Sequence, residues 1–306
     1  MQENIIKKNS IKAWFLASRP KTLTGAMVPV LIGTSLALSD SNIQCFRVVP
    51  AVLCFLFAFI MQIDANFVND YFDFKKGNDD ETRLGPLRAC SQGWIDVKSM
   101  RKGIIITTLI ACVVGFPLVL FGGIEMILIG LLCVFFCFLY TTKLSYMGLG
   151  DFLVLVFFGI VPVCMTYYLE MPDGNQVISF EVLVASIACG CVIDTLLIVN
   201  NYRDIDNDRN ACKNTLVVKL GKSKSRMFYL YIGVFACFLG LVFVFNGHFL
   251  ATILSLIYLW IHYSTYKHLV RIDKGKELNI VLGETARNMF FYGIMVSFGI
   301  ILNLFL

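Results

Sequence analysis

The chain predicts an all-α polytopic membrane bundle, and three observations carry that reading. Hydrophobic residues make up 58% of the sequence and charged residues only 15%, whereas soluble domains run near a quarter charged. Apolar runs of spanning length recur from about residue 23 to the C-terminus, and a helix needs roughly 20 such residues to cross the hydrocarbon core. Two carboxylate-dense segments each abut the end of such a run: Asn69-Asp70-Tyr71-Phe72-Asp73 continuing to Asp79, and Asn201-Tyr202-Arg203-Asp204 continuing through Asp208.

In chain order, the first element is a short interfacial helix. Ile11, Trp14, Phe15 and Ser18 share one helical face, flanked by Lys12 and Arg19. Its lysines lie well upstream of the apolar run and no small-residue cleavage site follows, so the segment reads as retained. Nine spans follow, at 23–39, 47–68, 104–121, 125–141, 150–169, 180–200, 227–246, 248–267 and 288–305. Short connections make neighbouring helices antiparallel. Only two connections are long, 69–103 and 201–226, and each follows a helix pair and an acidic motif. This order suggests two four-helix halves, about 23–141 and 150–267, with a ninth helix appended, forming one domain with a cytoplasmic cap.

Charge placement sets the expected orientation. Of the 26 Lys and Arg residues, 25 fall before the first span or in the connections after the second, fourth, sixth and eighth; Arg47 is the exception. The positive-inside rule then puts both motifs and the N-terminus in the cytoplasm and the C-terminus outside, as in a multi-pass protein of the bacterial inner membrane. The net charge of +5 thus reflects topology and anionic membrane lipid; no basic soluble domain is present to bind nucleic acid. Most of the 11 cysteines sit inside spans, and neither Cys133-x-x-x-Cys137 nor Cys189-x-Cys191 has zinc-site spacing, so they read as packing residues.

The motifs carry the chemistry. Carboxylates this dense beside a membrane repel one another unless a cation lies between them. Magnesium takes oxygen ligands and commonly bridges one or two carboxylates to substrate phosphates, so two clusters facing one cavity suggest Mg2+-dependent diphosphate chemistry. If the second span continues helically, Asn69 and Asp73 stack four residues apart while Asp70 points about 100° away; Asp204 and Asp208 repeat the relation. A capped, solvated helix end explains one such cluster but not two at matching places. Arg83 and Arg88 bracket Leu84-Gly85-Pro86-Leu87, and Lys213 follows the second motif, where they can grip phosphate oxygens. Asp64 and Asp194 lie within apolar runs about two turns before the motifs. Each is a candidate for the cavity, with a helix-to-helix hydrogen bond as the plainer alternative.

On these residues the chain resembles the UbiA superfamily of intramembrane aromatic prenyltransferases over nearly its whole length. The matching stretches are Arg19-Pro20-Lys21-Thr22-Leu23, Asn69 to Asp73 with Lys76-Gly77, Arg83 to Arg88, Tyr140-Thr141, and Asn200 to Asp208 with Lys213-Asn214-Thr215-Leu216. The arginine-bracketed Gly-Pro-Leu and the Lys-x-Thr-Leu tail look most like the branch acting on 1,4-dihydroxy-2-naphthoate. The resemblance implies that Asn69, Asp73, Asp204 and Asp208 hold the metals, with Asp70 and Asp79 supporting. It also implies that Tyr140, Lys143 and Arg19 work at the diphosphate. A polyprenyl diphosphate would be the donor, and the naphthoate would attack at its carboxylate-bearing carbon with loss of carbon dioxide; the resemblance leaves the base that takes the acceptor's proton unassigned, and Asp64 and Asp194 are the candidates. Three positions depart from the family pattern: Cys212 where glycine is usual, Thr142-Lys143 in place of Gly-Pro, and Asp151 where glutamate is common. The alternatives are another acceptor (hydroxybenzoate, homogentisate or haem) or a secondary transporter, which would be expected to carry its polar groups nearer mid-membrane. Oligomeric state is left open.

Overall fold

A computed structural model describes residues 6–41, 43–77 and 83–305; the expectation for Asp79 lies outside the described residues. Eight helices are long and apolar enough to span by themselves. They are the second to ninth spans: Val48–Lys76, Val97–Gly122, Glu125–Thr142, Gly150–Glu170, Phe180–Arg203, Leu216–Phe245, Phe249–Ile272 and Leu278–Phe305. The first span, Thr24–Asp40, has 17 residues and reaches spanning length only together with the helical segment Ile11–Thr22, from which it bends by 51°.

The bend is built locally. Arg19 adopts a left-handed conformation (φ 50°), Pro20 opens the next turn, and Asn66 of the second span donates to the Ser18 carbonyl (2.8 Å) and Thr22 Oγ1 (3.0 Å). In the preceding helix, Ile11–Ala17, Ile11 and Phe15 face outward as an interfacial helix requires. Trp14 departs from the expected shared face and packs edge-to-face on Phe67 with ring centroids 5.3 Å apart.

The motif-end boundaries correct the sequence reading in one direction. The second span continues to Lys75, the third starts at Val97, the sixth ends at Arg203, and the ninth starts at Leu278. Polar residues do not stop these helices, because at this end of the bundle they find partners on neighbouring helices. The seventh-span helix starts at Leu216, and Gly221 breaks it (φ 74°), so its first turns belong to the motif end.

The sixth span is the central helix: 72% of its apolar window is buried, against 6% for the fourth span at the periphery. It approaches the fifth span at glycines. A methyl group on Gly159 would lie 2.6 Å from the Ser186 carbonyl oxygen, and one on Gly190 would lie 2.8 Å from a Leu155 methyl. Beside this contact the fifth span carries a π-helical turn, Leu155–Ile160.

Candidate functional site

A cavity of about 1050 Å³ runs into the bundle from the motif end. Arg19, Asn69, Asn200, Asn279 and Arg287 line its mouth, Tyr140 and Thr141 its upper wall, and Phe57, Phe136, Phe157, Phe158 and Met165 its interior. Most of its walls are apolar, so charge is concentrated at the mouth.

The first motif sits on the last turns of the second span. As the helical spacing predicts, Asn69 and Asp73 share one stripe. Asn69 Oδ1 accepts a 2.6 Å hydrogen bond from Thr141 Oγ1, and Asp73 pairs with Arg88 at 2.6 Å. Asp70 faces elsewhere. Its two oxygens accept from the backbone N–H groups of Ala89 (2.8 Å) and Cys90 (3.0 Å), and it is 1% exposed. The expected supporting metal role thus gives way to a structural one: Asp70, buried and turned toward the loop backbone, holds the loop that presents Arg88. Arg83 bonds within the same loop, Nε to the Pro86 carbonyl at 3.1 Å. Arg19 is half-buried at the cavity mouth, its Nη2 buried and free of hydrogen bonds, within electrostatic reach of Arg83, Arg88, Asp70 and Asp73. Burial first, and Arg88 next, lower its guanidinium to about 9, which still leaves it cationic at neutral pH.

The second motif follows the sixth span. Asp204 ends that helix, and Ile205–Asn210 forms a further turn that carries Asp208. The Asp208 N–H to Asp204 carbonyl bond (2.8 Å) preserves the helical offset across the break. Asp208 pairs with Lys213 at 3.3 Å and is 8% exposed. Burial pushes its carboxyl above the ordinary range; Lys213 opposes this, while Asp204 and Asp73 add to it, so the two motifs lie in one field. Asp204 is clamped by Arg203, whose Nε and Nη2 reach its two oxygens at 2.9 and 2.5 Å. Arg203 also donates to Asn200 (2.9 Å) and Asn279 (2.8 Å). The first-motif loop closes onto this clamp. Asn279 donates to the Leu84 carbonyl (2.8 Å), and a Cβ on Gly85 would stand 2.7 Å from Arg203 Nη2.

Three further expectations change. Asp64 is fully buried and does not line the cavity; Thr107 and Thr108 of the third span donate to its two oxygens, the latter at 2.9 Å, so the plainer helix-to-helix reading holds. Asp194 lies one position behind the cavity wall formed by Ile193, Leu196 and Leu197, and interacts with Asp151 of the fifth span. Lys143 is exposed at the end of the fourth span and away from the cavity. Lys76, also exposed, donates to the Thr142 carbonyl (2.9 Å) above the Tyr146 ring. Lys76, Asn200, Arg203 and Asn279 had no assigned role in the sequence. For Arg203 the available signal was its place inside the acidic run; for Asn279 there was none.

Among the described residues no three His, Cys, Asp or Glu side chains converge as a ready-made metal cage. Magnesium commonly uses one or two carboxylates and takes the rest of its shell from phosphate and water, so the arrangement suits it. Asp208 Oδ2 is buried without a hydrogen-bond partner, and the donors at the mouth are hard oxygens. The residues therefore fit a divalent cation bound together with a diphosphate.

The chain is similar to proteins of known name. It is 31% identical to 1,4-dihydroxy-2-naphthoate octaprenyltransferase of Haemophilus influenzae over 99% of this chain and 100% of that one. It is 33% identical to the protein of the same name from Escherichia coli, covering 95% and 96%. Its fold matches a UbiA homolog from Archaeoglobus fulgidus bound to GPP and Mg2+ (TM-score 0.65, 13% identity, 94% of this chain and 99% of that one). It also matches the apo structure of a UbiA homolog from Aeropyrum pernix (TM-score 0.67, 14% identity, 92% and 98%). With the UbiA prenyltransferase family model matching residues 26–294, more than four-fifths of its length, the chain belongs to the UbiA prenyltransferase family.

Proposed function

We propose that the protein transfers a polyprenyl group from polyprenyl diphosphate to 1,4-dihydroxy-2-naphthoate, releasing diphosphate and carbon dioxide and yielding demethylmenaquinol. One observation carries the reading: two acidic motifs, each with a basic partner and close enough to act on one another electrostatically, adjoin a deep apolar cavity that Asn69 of the first and Asn200 beside the second line. That is the arrangement needed to hold a diphosphate at the surface and an apolar chain below it. The named relatives support the naphthoate as acceptor.

Asn69, Asp73, Asp204 and Asp208 are the residues that would hold magnesium, which when bound neutralises charge on the departing diphosphate. Arg19, Arg88 and Lys213 supply further positive charge to the phosphate oxygens as the allylic carbon–oxygen bond breaks. The aromatic walls exclude water from the allylic cation, which would otherwise be hydrolysed. The cavity lining includes Phe116 and Leu131 of the third and fourth spans, which are also strongly exposed, so a tail longer than the cavity would leave beside these helices into lipid. The positive-inside distribution supports a cytoplasmic motif end in a bacterial inner membrane.

The test is prenyl transfer by the purified protein in detergent, with a polyprenyl diphosphate and either dihydroxynaphthoate or hydroxybenzoate, each with magnesium and with EDTA. Magnesium-dependent, decarboxylated product from the naphthoate alone is expected. Product from hydroxybenzoate alone would move the protein to another acceptor, and activity undiminished by EDTA would remove the metal.

A further inference from the structure

The fifth and sixth spans bury a pair of carboxylates that the diphosphate site does not use. The helices run antiparallel, with Gly159 against Ser186 and Gly190, Leu155 against Gly190, and Gly150 against Leu197. That register brings Asp151 opposite Asp194. Asp194 is 2% exposed, and its Oδ1 has no hydrogen-bond partner; both side-chain oxygens of Asp151 are likewise buried and unpartnered. Among the described residues no lysine, arginine or histidine pairs with either. The ionisable groups that sense the pair are Tyr140 of the fourth span, on which Asp208 and Asp73 act more weakly, and Cys191 on the sixth.

Two adjacent carboxylates without a cation cannot both carry charge at this depth, and one proton between them satisfies otherwise orphaned oxygens. Tyr140 connects the pair to the cavity. Its ring lines the cavity wall, its hydroxyl lies 3.7 Å from where a Cβ on Gly150, the neighbour of Asp151, would stand, and Asp151 acts on it more strongly than any other charge.

We propose that Asp151 and Asp194 share one proton and, through Tyr140, accept the hydroxyl proton of the aromatic acceptor, then return it after carbon dioxide leaves. The inference rests on the reading of the acceptor as a hydroxynaphthoate. The acceptor O–H bond breaks, its proton passes to the Tyr140 oxygen, and the Tyr140 proton passes to the pair, which then holds two. The ring carbon bearing the carboxylate bonds to the prenyl cation, and the oxygen becomes a ketone. Carbon–carboxylate cleavage releases carbon dioxide and leaves an enolate, which takes the stored proton back through Tyr140 to give the hydroquinone. The proton is borrowed and returned, so a buried pair with no route to bulk water suffices. Asp151 and Asp194 act through Tyr140 and are positioning residues for the proton.

The experiment compares wild type with Asp194→Asn, Asp151→Asn, the double variant and Tyr140→Phe, as full chains in detergent across pH. Wild-type turnover of the naphthoate checks the underlying reading separately: if the wild type makes no product, that reading fails and not the relay. Each variant is expected to lose about 100-fold in kcat at neutral pH with KM for the prenyl diphosphate unchanged. The double variant should be no worse than either single one, because the pair acts as a unit. The loss should shrink as pH rises, since an acceptor that ionises in solution no longer needs the relay, and Asp194→Glu should recover part of it. A loss equal at every pH, an unchanged kcat, or an effect confined to KM for the prenyl diphosphate would overturn the proposal. Should the variants fail to fold, infrared spectra of the wild-type protein labelled with 13C-aspartate decide. A protonated carboxyl band persisting at pH 8 supports the shared proton, and its absence rules it out.

Discussion

At the scale of single residues, identity and placement separate carboxylates that look alike in the sequence. Asp73 and Asp208 each hold a cation and act on one another across the two motifs, so alanine at either should abolish turnover while leaving a protein that extracts and folds. Turnover with circular dichroism checks both halves of that statement. Asp64 is spent on Thr107 and Thr108, so Asp64→Asn should retain most activity; a folded but inactive variant would return Asp64 to the chemistry. Asp208, held above the ordinary carboxylate range mainly by burial, must lose its proton to bind a cation. Apparent magnesium affinity should therefore rise with pH through the interval just above the usual carboxylate value, with proton release on binding. Calorimetry in buffers of different ionisation enthalpy measures it. Cys212 stands at φ 54°, a conformation that favours glycine, so the chain holds it at a strain of roughly 1–2 kcal/mol. Cys212→Gly should keep full activity with unchanged or raised Tm, and Cys212→Val should lower Tm, because a β-branched residue tolerates positive φ least.

At the scale of elements, the site depends on one loop and one helix end meeting. The loop from Arg83 to Cys90 is fastened below by Asp70 and rests above on Arg203 and Asn279, so it links the second span to the sixth and ninth. Gly85 is where this contact is closest. A Gly85→Ala methyl would stand 2.7 Å from the Arg203 guanidinium, so the loop or the arginine must move and carry Arg88 or Asp204 with it. We expect a rise in KM for the prenyl diphosphate of about tenfold, equivalent to ~1.4 kcal/mol, with little change in Tm. An unaltered KM would mean that the loop does not set the phosphate grip. The glycine contact between the fifth and sixth spans belongs to packing instead. Gly159→Ala should cost roughly 1–3 kcal/mol of stability, read as a fall in Tm, because backbone lies 2.6 Å from the new methyl.

At the scale of the whole molecule, the described residues form eight spanning helices, and a ninth span where the bent pair Ile11–Thr22 and Thr24–Asp40 counts as one, around a cavity that is charged at one end and apolar beyond it. An odd number of crossings places the termini on opposite sides. A reporter fused after Leu306 should read as extracytoplasmic, and a cytoplasmic signal would break the nine-span reading.

How much of this was legible in the sequence follows from the range of the interactions involved. Composition and the length of apolar runs determined the helical membrane bundle and its second to ninth spans, since the hydrophobic requirement of a span is local and additive. Helical spacing placed Asn69 with Asp73 and set Asp70 apart, because i, i+4 geometry needs no partner. Tertiary structure decided what each buried polar group does. Asp64, Asp70 and Asp194 are all acids on apolar helices near a motif, yet one meets two threonines, one a pair of backbone amides, and one another carboxylate. The helix ends were missed for the same reason. Asn200, Arg203 and Asn279 continue helices into the polar end because each finds its partner across the bundle, a fact of packing that no local stretch of sequence contains.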